Sequence, residues 1–312
     1  MTKYHDSSFL WWHGAGMQFL FSRRFQHFRS TYDAGNLRIA AEQAGVSQPA
    51  LSKSIKDLEN HMSARLFERT SRGVIPTKAG RILNRHLLNM EQQARYAEIE
   101  VGGLLQGRGG SIRLGAGLVW AQSLVPHALA EFHQQFPNVR LEVSNAISNI
   151  LVPMLIQGTL DLIVCELTET KLPDEFQIGA SWTTRRCPWV RSGHPLTQKP
   201  EISWQELAEF GWVGHASDRN LKEKIASKYR QIGCAPPQIV METSSLSSMM
   251  QIISETDLVA VLADQLEGDA LSRDLVRLPI SEDSWNMESA VMFRSEVSDI
   301  KPFRWLIDEL SQ

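Results

Sequence analysis

The sequence predicts an α/β multidomain protein with an N-terminal winged helix-turn-helix, a linker helix with a coiled-coil pattern, and a C-terminal α/β domain. Three observations lead to this prediction. Short amphipathic helices and a hairpin with Gly and Pro fill the first quarter, an unbroken heptad pattern follows, and strands alternate with helices beyond residue 110. At 312 residues, the chain is long enough for two or three folding units.

The composition is that of an ordinary soluble protein, with 43% hydrophobic and 21% charged residues. No apolar run approaches the roughly 20 residues that a membrane helix needs, so we expect no membrane partner. The three cysteines, Cys165, Cys187 and Cys234, are far apart and form no C-x-x-C pair. This pattern argues against a disulfide framework and a zinc site, and we expect a cytoplasmic protein without metal or cofactor.

Charge is distributed unevenly along the chain. Residues 17–80 contain ten Lys or Arg and five Asp or Glu, a net charge of +5, whereas the whole chain carries −3. The remainder is therefore acidic, at −8. A basic segment on an acidic body indicates a polyanionic partner for that segment, although a merely solvated charged face would give the same composition.

The first helices are predicted from hydrophobic spacing and capping residues. Residues 1–16 lack periodicity and are predicted to be either a disordered extension or the result of an upstream start site, and residues 17–77 are predicted to form the winged helix-turn-helix. Asn36 is a good N-cap for a short second helix, and Ser47 caps a third helix with Pro49 in its first turn. The segment 66–77 reads as a two-stranded wing. Apolar residues of the first and third helices recur at spacings of three and four: Phe21, Phe25, Phe28 and Tyr32, then Leu51, Ile55, Leu58 and Met62.

A polar stripe follows the other face of the third helix. Such side chains near the N-terminal half of a helix can reach base edges in the major groove, which is about 12 Å wide. Basic and hydroxyl side chains on the wing are placed to hold the flanking phosphates. The predicted DNA contacts are Gln48, Pro49, Ser52, Lys53, Lys56, Arg69, Thr70 and Arg72.

Residues 78–110 are predicted to form a linker and dimerisation helix followed by a glycine-rich hinge, Gly107-Arg108-Gly109-Gly110. Three heptads with apolar residues at alternating spacings of four and three predict a seam between two chains. The alternative is a single helix packed on its own domain. The seam consists of Leu83, Leu87, Met90, Ala94, Ala97, Val101 and Leu104.

Residues 111–312 alternate strands with helices, which predicts a largely parallel sheet in one domain or two lobes. The predicted strands are 112–116, 139–143, 160–165, 187–190, 212–214, 239–242 and 258–262. The predicted helices are 123–136, 150–157, 221–231, 246–254 and 302–310.

A long ungapped stretch, AAEQAGVSQPALSKSIKDLE at residues 40–59, resembles the helix-turn-helix signature of LysR-type transcriptional regulators. LFERT at 66–70 and PTKAG at 76–80 resemble the wing and the start of the linker helix of that family, and LDLIV at 160–164 and HPL at 194–196 also match. The resemblance implies sequence-specific binding to double-stranded, dyad-symmetric operator DNA by a homodimer or homotetramer. It also implies a regulatory domain of two α/β lobes, similar to periplasmic binding proteins, with a small-molecule effector between the lobes.

The effector site is predicted from the loop after the first strand of the α/β domain and from the family resemblance. Many family members carry Ser and Thr in that loop, where this chain has Gly117, Leu118 and Val119, so side-chain donors are missing. Either the effector is less polar there, or an anion is held elsewhere, or no small effector binds. Trp120 is either a stacking surface for a flat ligand or core, and His215 is either a ligand contact or structural. The predicted effector contacts are Gly117, Val119, Trp120, Ser144, Asn145, His215, Ser217 and Ser247.

Four alternative functions can be set against this prediction. We expect no enzyme, because the sequence contains no G-x-S-x-G, H-E-x-x-H, P-loop or complete G-x-G-x-x-G motif. A solute-binding or transport protein would need a signal peptide, which we do not find in the sequence, and this alternative would leave the basic segment unexplained. An architectural DNA binder would show weak discrimination between sequences. A thiol-based redox regulator would use Cys187, which follows Arg185 and Arg186, since adjacent cations favour a thiolate.

Overall fold

The computed structural model describes residues 22–71, 73–105, 109–168, 171–280 and 286–311. The predictions for residues 1–16, Phe21, Arg72 and the first half of the hinge lie outside these residues, as does the side chain of Leu104. The chain divides into two units, one ending at Glu98 and the next beginning at Ile99.

The first unit consists of three helices, a two-stranded hairpin and a long helix. Asn36 caps the second helix by accepting hydrogen bonds from the N–H groups of Arg38 and Ile39, and Ser47 caps the third by accepting one from Ala50. These caps start the helices where the sequence predicts. The elements are α1 Arg23–Ala34, α2 Leu37–Gln43, α3 Gln48–Met62, β1 Phe67–Thr70, β2 Gly73–Pro76 and α4 Lys78–Leu105, the last of which continues into the second unit.

Two hydrophobic clusters form the core of the first unit, one around Phe28 and one around Leu51. Phe28 and Leu51 are fully buried, as the helical spacing predicts. Met62 was predicted to face inward and is 45% exposed, because α3 ends there and Ser63 turns into the left-handed region at φ 49°. The antiparallel wing is fixed to the turn after α1 by a hydrogen bond of 2.9 Å from the N–H of Val74 to the carbonyl of Gly35.

The second unit contains two lobes, each built on its own sheet. Lobe I has a five-stranded sheet in the order β4-β3-β5-β12-β6, and lobe II has a three-stranded sheet in the order β10-β7-β11 with a parallel pair β8-β9. The elements of lobe I are β3 Ser111–Ala116, α5 Leu124–Gln135, β4 Arg140–Asn145, α6 Ser148–Ile156, β5 Leu162–Glu166, β6 Phe176–Thr184, β12 Met287–Arg294 and α11 Lys301–Glu309. Those of lobe II are β7 Arg186–Arg191, α7 Trp204–Ala208, β8 Trp212–His215, α8 Arg219–Gln231, β9 Ile239–Thr243, α9 Leu246–Glu255, β10 Ala260–Ala263, α10 Glu267–Leu271 and β11 Leu275–Arg277.

The prediction of a largely parallel sheet is wrong. β3 pairs parallel with β4 and β5, but β12 runs antiparallel to both β5 and β6, and β7 is antiparallel to both of its neighbours. The reason is the chain path: it leaves lobe I after β6 and returns as β12, which inserts between β5 and β6 from the opposite direction. Two crossings thus connect the lobes.

Candidate nucleic-acid interface and effector cleft

The third helix presents the predicted polar stripe on its outer face. Gln48, Lys53 and Lys56 are exposed and Ser52 is half-buried. The opposite face contributes Leu51 and Ile55 to the interior, so the helix packs against the rest of the unit through that face. Pro49 is also exposed, in the first turn. The amphipathic pattern therefore leaves all five predicted α3 residues on or near the surface of a rigidly seated helix.

Two polar contacts fix α3 in place. His27 Nδ1 lies 2.8 Å from the hydroxyl of Ser54, which connects α1 to α3. Burial, together with the nearby Arg23 charge, lowers the pKa of His27 below its ordinary value. At the other end of the helix, a carboxylate oxygen of Glu59 accepts hydrogen bonds from the N–H groups of Leu66 (2.8 Å) and Phe67 (3.2 Å). The recognition helix and the wing are thereby held in one frame.

The wing places its predicted contacts on its exposed edge. Arg69 and Thr70 are exposed on β1, and the hydroxyl of Thr70 donates to the carbonyl of Gly73 at 3.2 Å. A Cβ added to Gly73 would stand 2.2 Å from the carbonyl oxygen of Gly35, and Gly73 has φ +139°. Glycine is therefore required where the wing meets the turn after α1.

The structure of the linker helix α4 corrects the predicted dimer seam. Leu87 is only 2% exposed and belongs to the core of the first unit, against which Leu83 also packs. By contrast, Met90 is 49% and Val101 52% exposed. Ala97 is exposed and Ala94 half-buried. An apolar stripe that could meet a second chain therefore begins at Met90, because the first heptad of the pattern serves the chain's own core.

A cleft lies between the two lobes. Its cavity, about 40 Å³, is formed by the loop after β3, the start of α6, and the start of α8. Four predicted effector residues meet there: Gly117, Val119, Trp120 and Ser217. Lobe I also contributes Ile147, Ser148 and Asn149. This is the position in which α/β folds bind ligands, beyond the carboxyl ends of strands.

A buried ion cluster crosses this cleft. The guanidinium of Arg186, at the start of β7, pairs with a carboxylate oxygen of Glu166 in lobe I and with Asp218 Oδ2 in lobe II at 2.9 Å. Asp218 also caps α8 by accepting from the N–H of Leu221 at 3.1 Å. These side chains are 10–17% exposed, so water screens them poorly. We call Arg186, Glu166 and Asp218 the lobe-bridging triad.

A second cavity, about 50 Å³, extends from the cleft into lobe II. His215 lines it and is 7% exposed. Its other walls are mostly apolar, from β8, α8, α9 and β10, and Leu118 and Val119 of lobe I close it. Val119 belongs to the core of lobe II, with Cys187 and Trp189. The loop after β3 thus inserts apolar side chains into the opposite lobe.

Three predicted effector residues do not line either cavity. Ser144 and Asn145 lie exposed on β4, because the cleft is lined by the turn that follows this strand rather than by its last residues. Ser247 accepts a hydrogen bond from the guanidinium of Arg273 at 2.9 Å, and its neighbours Leu246 and Met249 face the cavity in lobe II instead. Leu246 and Met249 are three residues apart and share one face of α9, whereas Ser247 lies on a different face.

Trp120 is a core residue as well as a wall of the cleft. It is 4% exposed and packs edge-on against Trp182, with ring centroids 5.1 Å apart. The geometry is that of a stabilising aromatic pair. Burial and this contact with Trp182 favour the structural alternative over ligand stacking.

The cysteines are buried or partly buried thiols. Cys187 is 6% exposed and donates to Asp264 Oδ1 at 3.4 Å. The flanking cations face carboxylates: Arg185 lies 3.9 Å from Asp264, and Arg186 belongs to the triad. Burial raises the pKa of Cys165 to about 12. These surroundings do not favour the redox alternative, since a reactive thiol needs exposure and unshared positive charge.

Potential metal ligands meet at one point of the described chain. His127 and Glu131 on α5 and Glu309 on α11 bring ligand atoms within 4.8 Å of one another. They are exposed or half-buried, and neither helix contributes to the cavities. The cluster is as compatible with an ion pair at the surface as with a metal site. Within the described residues, no helix is long and apolar enough to cross a membrane.

Comparison with known proteins matches both units. The model of the family described as "Bacterial regulatory helix-turn-helix protein, lysR family" matches residues 22–81. The model described as "LysR substrate binding domain" matches residues 105–312. The transcriptional regulator GbpR of Rhizobium radiobacter is 28% identical over 234 residues, covering 74% of this chain and 78% of GbpR.

Two solved structures share the fold over nearly the whole length. A full-length OxyR variant from Pseudomonas aeruginosa gives a TM-score of 0.64 at 21% identity, covering 92% of this chain and 93% of OxyR. Full-length CbnR in complex with its target DNA gives a TM-score of 0.63 at 14% identity, covering 92% of this chain and 98% of CbnR. At these identities, the structures support the fold alone.

Proposed function

The chain belongs to the LysR family of bacterial DNA-binding transcriptional regulators, and we propose that it reads a dyad-symmetric operator through α3 under the control of a small molecule in its interlobe cleft. The observation that carries the DNA assignment is the exposed polar stripe of α3 on a basic unit. The family match over residues 22–81 supports the same assignment.

In the proposed complex, α3 enters the major groove. Gln48 and Ser52 reach base edges, while Lys53 and Lys56 reach bases or phosphates. Arg69 and Thr70 on the wing contact the flanking backbone and set the register without reading sequence. Pro49 shapes the first turn of the helix, and the contact proposed for Arg72 rests on the sequence alone.

We further propose that two chains pair along the linker helix. The exposed stripe from Met90 to Val101 supports this, since exposed apolar residues at heptad spacing fit a second helix. Pairing would present two copies of α3 to two half-sites about one helical turn, or a multiple of it, apart. The related structure of CbnR contains its target DNA.

The cleft of the second unit is the proposed effector site. The match to the LysR substrate binding domain supports it, as does the convergence of Gly117, Val119, Trp120 and Ser217 on one cavity. We assign the protein no catalytic activity, in line with a family of regulators, and place it in the cytoplasm, where its DNA target lies.

The DNA assignment is tested with full-length protein and a duplex selected from random sequence. Replacing Lys53 and Lys56 with Ala should weaken binding and lower the slope of log affinity against log salt by about 0.9 for each phosphate that the variant no longer neutralises. Replacing the exposed Lys301 of α11 with Ala is the matched control and should change neither. Unchanged affinity and slope in the double variant would contradict α3 as the reader.

A further inference from the structure

The cavity in lobe II contains buried hydrogen-bond donors without acceptors. His215 Nδ1 accepts from the N–H of Ser217 at 3.3 Å, which assigns the ring proton to Nε2. Among the described residues, His215 Nε2 and Arg186 Nε have no hydrogen-bond partner, and both residues are less than 9% exposed. A buried donor without an acceptor destabilises the folded protein, because it has lost its hydrogen bond to water. Two such N–H groups on residues that line one cavity therefore define an unmet requirement for an acceptor.

The charges of this cavity are already matched internally. Both terminal nitrogens of Arg186 bind carboxylates, and Lys222 Nζ pairs with a carboxylate oxygen of Glu242. An entering carboxylate would approach Glu166 and Asp218 and would compete with them for the same guanidinium. An entering ammonium would bring further donors to a site that already has donors in excess. Neither a negatively charged nor a positively charged ligand fits these surroundings.

The remaining walls are apolar. They come from lobe II except for the two residues of lobe I that close the cavity. Among the apolar side chains that line the cavity are Leu118, Val119, Trp212, Ile225, Leu246 and Met249. A mostly apolar cavity with a few placed polar atoms is the usual form of a small-molecule site, in which the polar atoms fix orientation.

We propose that the effector is an uncharged, largely apolar ring compound with an acceptor oxygen, bound in lobe II by hydrogen bonds from His215 Nε2 and Arg186 Nε. This inference rests on the proposed function, because it names the ligand class of the same cleft. About 50 Å³ accommodates only a few water molecules, so the ligand enters by displacing Leu118 and Val119. Those side chains belong to lobe I, and their displacement alters the contact between the lobes. The ligand therefore binds with different affinity to the states with and without this contact between the lobes. A conformational switch requires such a difference in affinity.

The test uses full-length protein and four benzene derivatives of similar size: acetophenone, benzoate, benzylamine and ethylbenzene. Binding is measured by calorimetry and by the shift in melting temperature. Acetophenone should bind most tightly, since it is neutral and carries an acceptor oxygen. Tighter binding of benzoate or benzylamine, or equal binding of ethylbenzene, would overturn the proposal, as would no binding by any of the four.

Variants identify the site. His215→Leu should weaken acetophenone binding about tenfold and leave ethylbenzene unchanged, because it removes a single hydrogen bond. His215→Asn retains an N–H donor and should recover part of the affinity. Val119→Ala enlarges the cavity and should strengthen binding of acetophenone. Unchanged acetophenone affinity in folded His215→Leu, or in Val119→Ala, would contradict the placement.

Operator binding is measured on the same preparations so that the two proposals fail separately. If the protein still selects a specific DNA sequence but does not bind acetophenone, the proposed ligand class is wrong and the proposed DNA-binding function stands. Acetophenone binding without any preference for a DNA sequence would overturn the proposed regulatory function while leaving the cavity chemistry supported.

Discussion

The lobe-bridging triad offers a perturbation whose size follows from its geometry. Asp218→Asn and Glu166→Gln each remove one carboxylate charge from Arg186 and leave the other in place. Asn is as good an N-cap as Asp, so the first substitution preserves the cap of α8 and isolates the ion pair. Each single change should cost about 1.5 kcal/mol, the lower end for a hydrogen bond to a charged group, because the other carboxylate stays paired with Arg186.

The double variant leaves a guanidinium that is only 10% exposed without a carboxylate. Breaking a buried pair in this way costs about 3–5 kcal/mol, and the middle of that range is about 1 kcal/mol above the sum of the two single effects, which is about 3 kcal/mol. The measurement is urea unfolding of the full-length chain followed by tryptophan fluorescence, analysed as a double-mutant cycle. Asp299→Asn is the control, because its pair with Arg304 is 58–94% exposed and should contribute less than about 1 kcal/mol.

Additive single effects, or a double variant no less stable than Asp299→Asn, would refute the view that the triad is buried and shared between the lobes. A coupling of about 1 kcal/mol or more between Glu166 and Asp218 would support it. Because these two residues belong to different lobes, such a coupling also measures how strongly the lobes are held together.

Three further predictions concern the linker, a buried histidine and the wing. Ala97→Glu should raise the dimer dissociation constant at least tenfold in sedimentation experiments, by placing a charge on the exposed stripe, whereas Arg85→Ala on the same helix should not. Burial lowers the pKa of His194, so its protonation is disfavoured in the folded protein, and stability should fall as the pH drops below about 6.5; the melting temperature of His194→Asn should depend less on pH between 7.5 and 5.5. Gly73→Ala should cost about 1–3 kcal/mol from backbone strain and more from the clash with Gly35, and thermal melting should show a larger loss than for Gly45→Ala, where a Cβ meets no atom within 4 Å. A linker variant that stays dimeric, an unchanged pH profile in His194→Asn, or a wing variant as stable as Gly45→Ala would each contradict the corresponding interpretation.

The DNA-binding unit was largely predictable because its elements follow local rules. Asn36 and Ser47 cap helices by contacts within three residues, and the spacing of Leu51, Ile55 and Leu58 marks one face of α3. The same rules misassigned Leu87. A heptad pattern records only that a residue is apolar on one face, and the identity of the surface that covers it depends on tertiary packing.

The second unit was less predictable because its order depends on distant parts of the chain. β6 was not predicted although Phe176, Ile178, Ala180 and Trp182 alternate with polar or small residues, and β12 was not predicted although it completes the sheet of lobe I. The triad joins residues 166, 186 and 218 from three elements, and no local motif relates them. The signal available in sequence was an Arg at the start of a strand, and its proximity to Cys187 pointed to thiol chemistry instead.

Selection of bound sequences from a random duplex library by the full-length protein shows whether α3 reads a specific operator. We expect enrichment of a dyad-symmetric sequence, with half-sites about one helical turn or a multiple of it apart, and loss of that enrichment when Lys53 and Lys56 are replaced by Ala. Recovery of no preferred sequence, or of the same preferred sequence by the double variant, would contradict it.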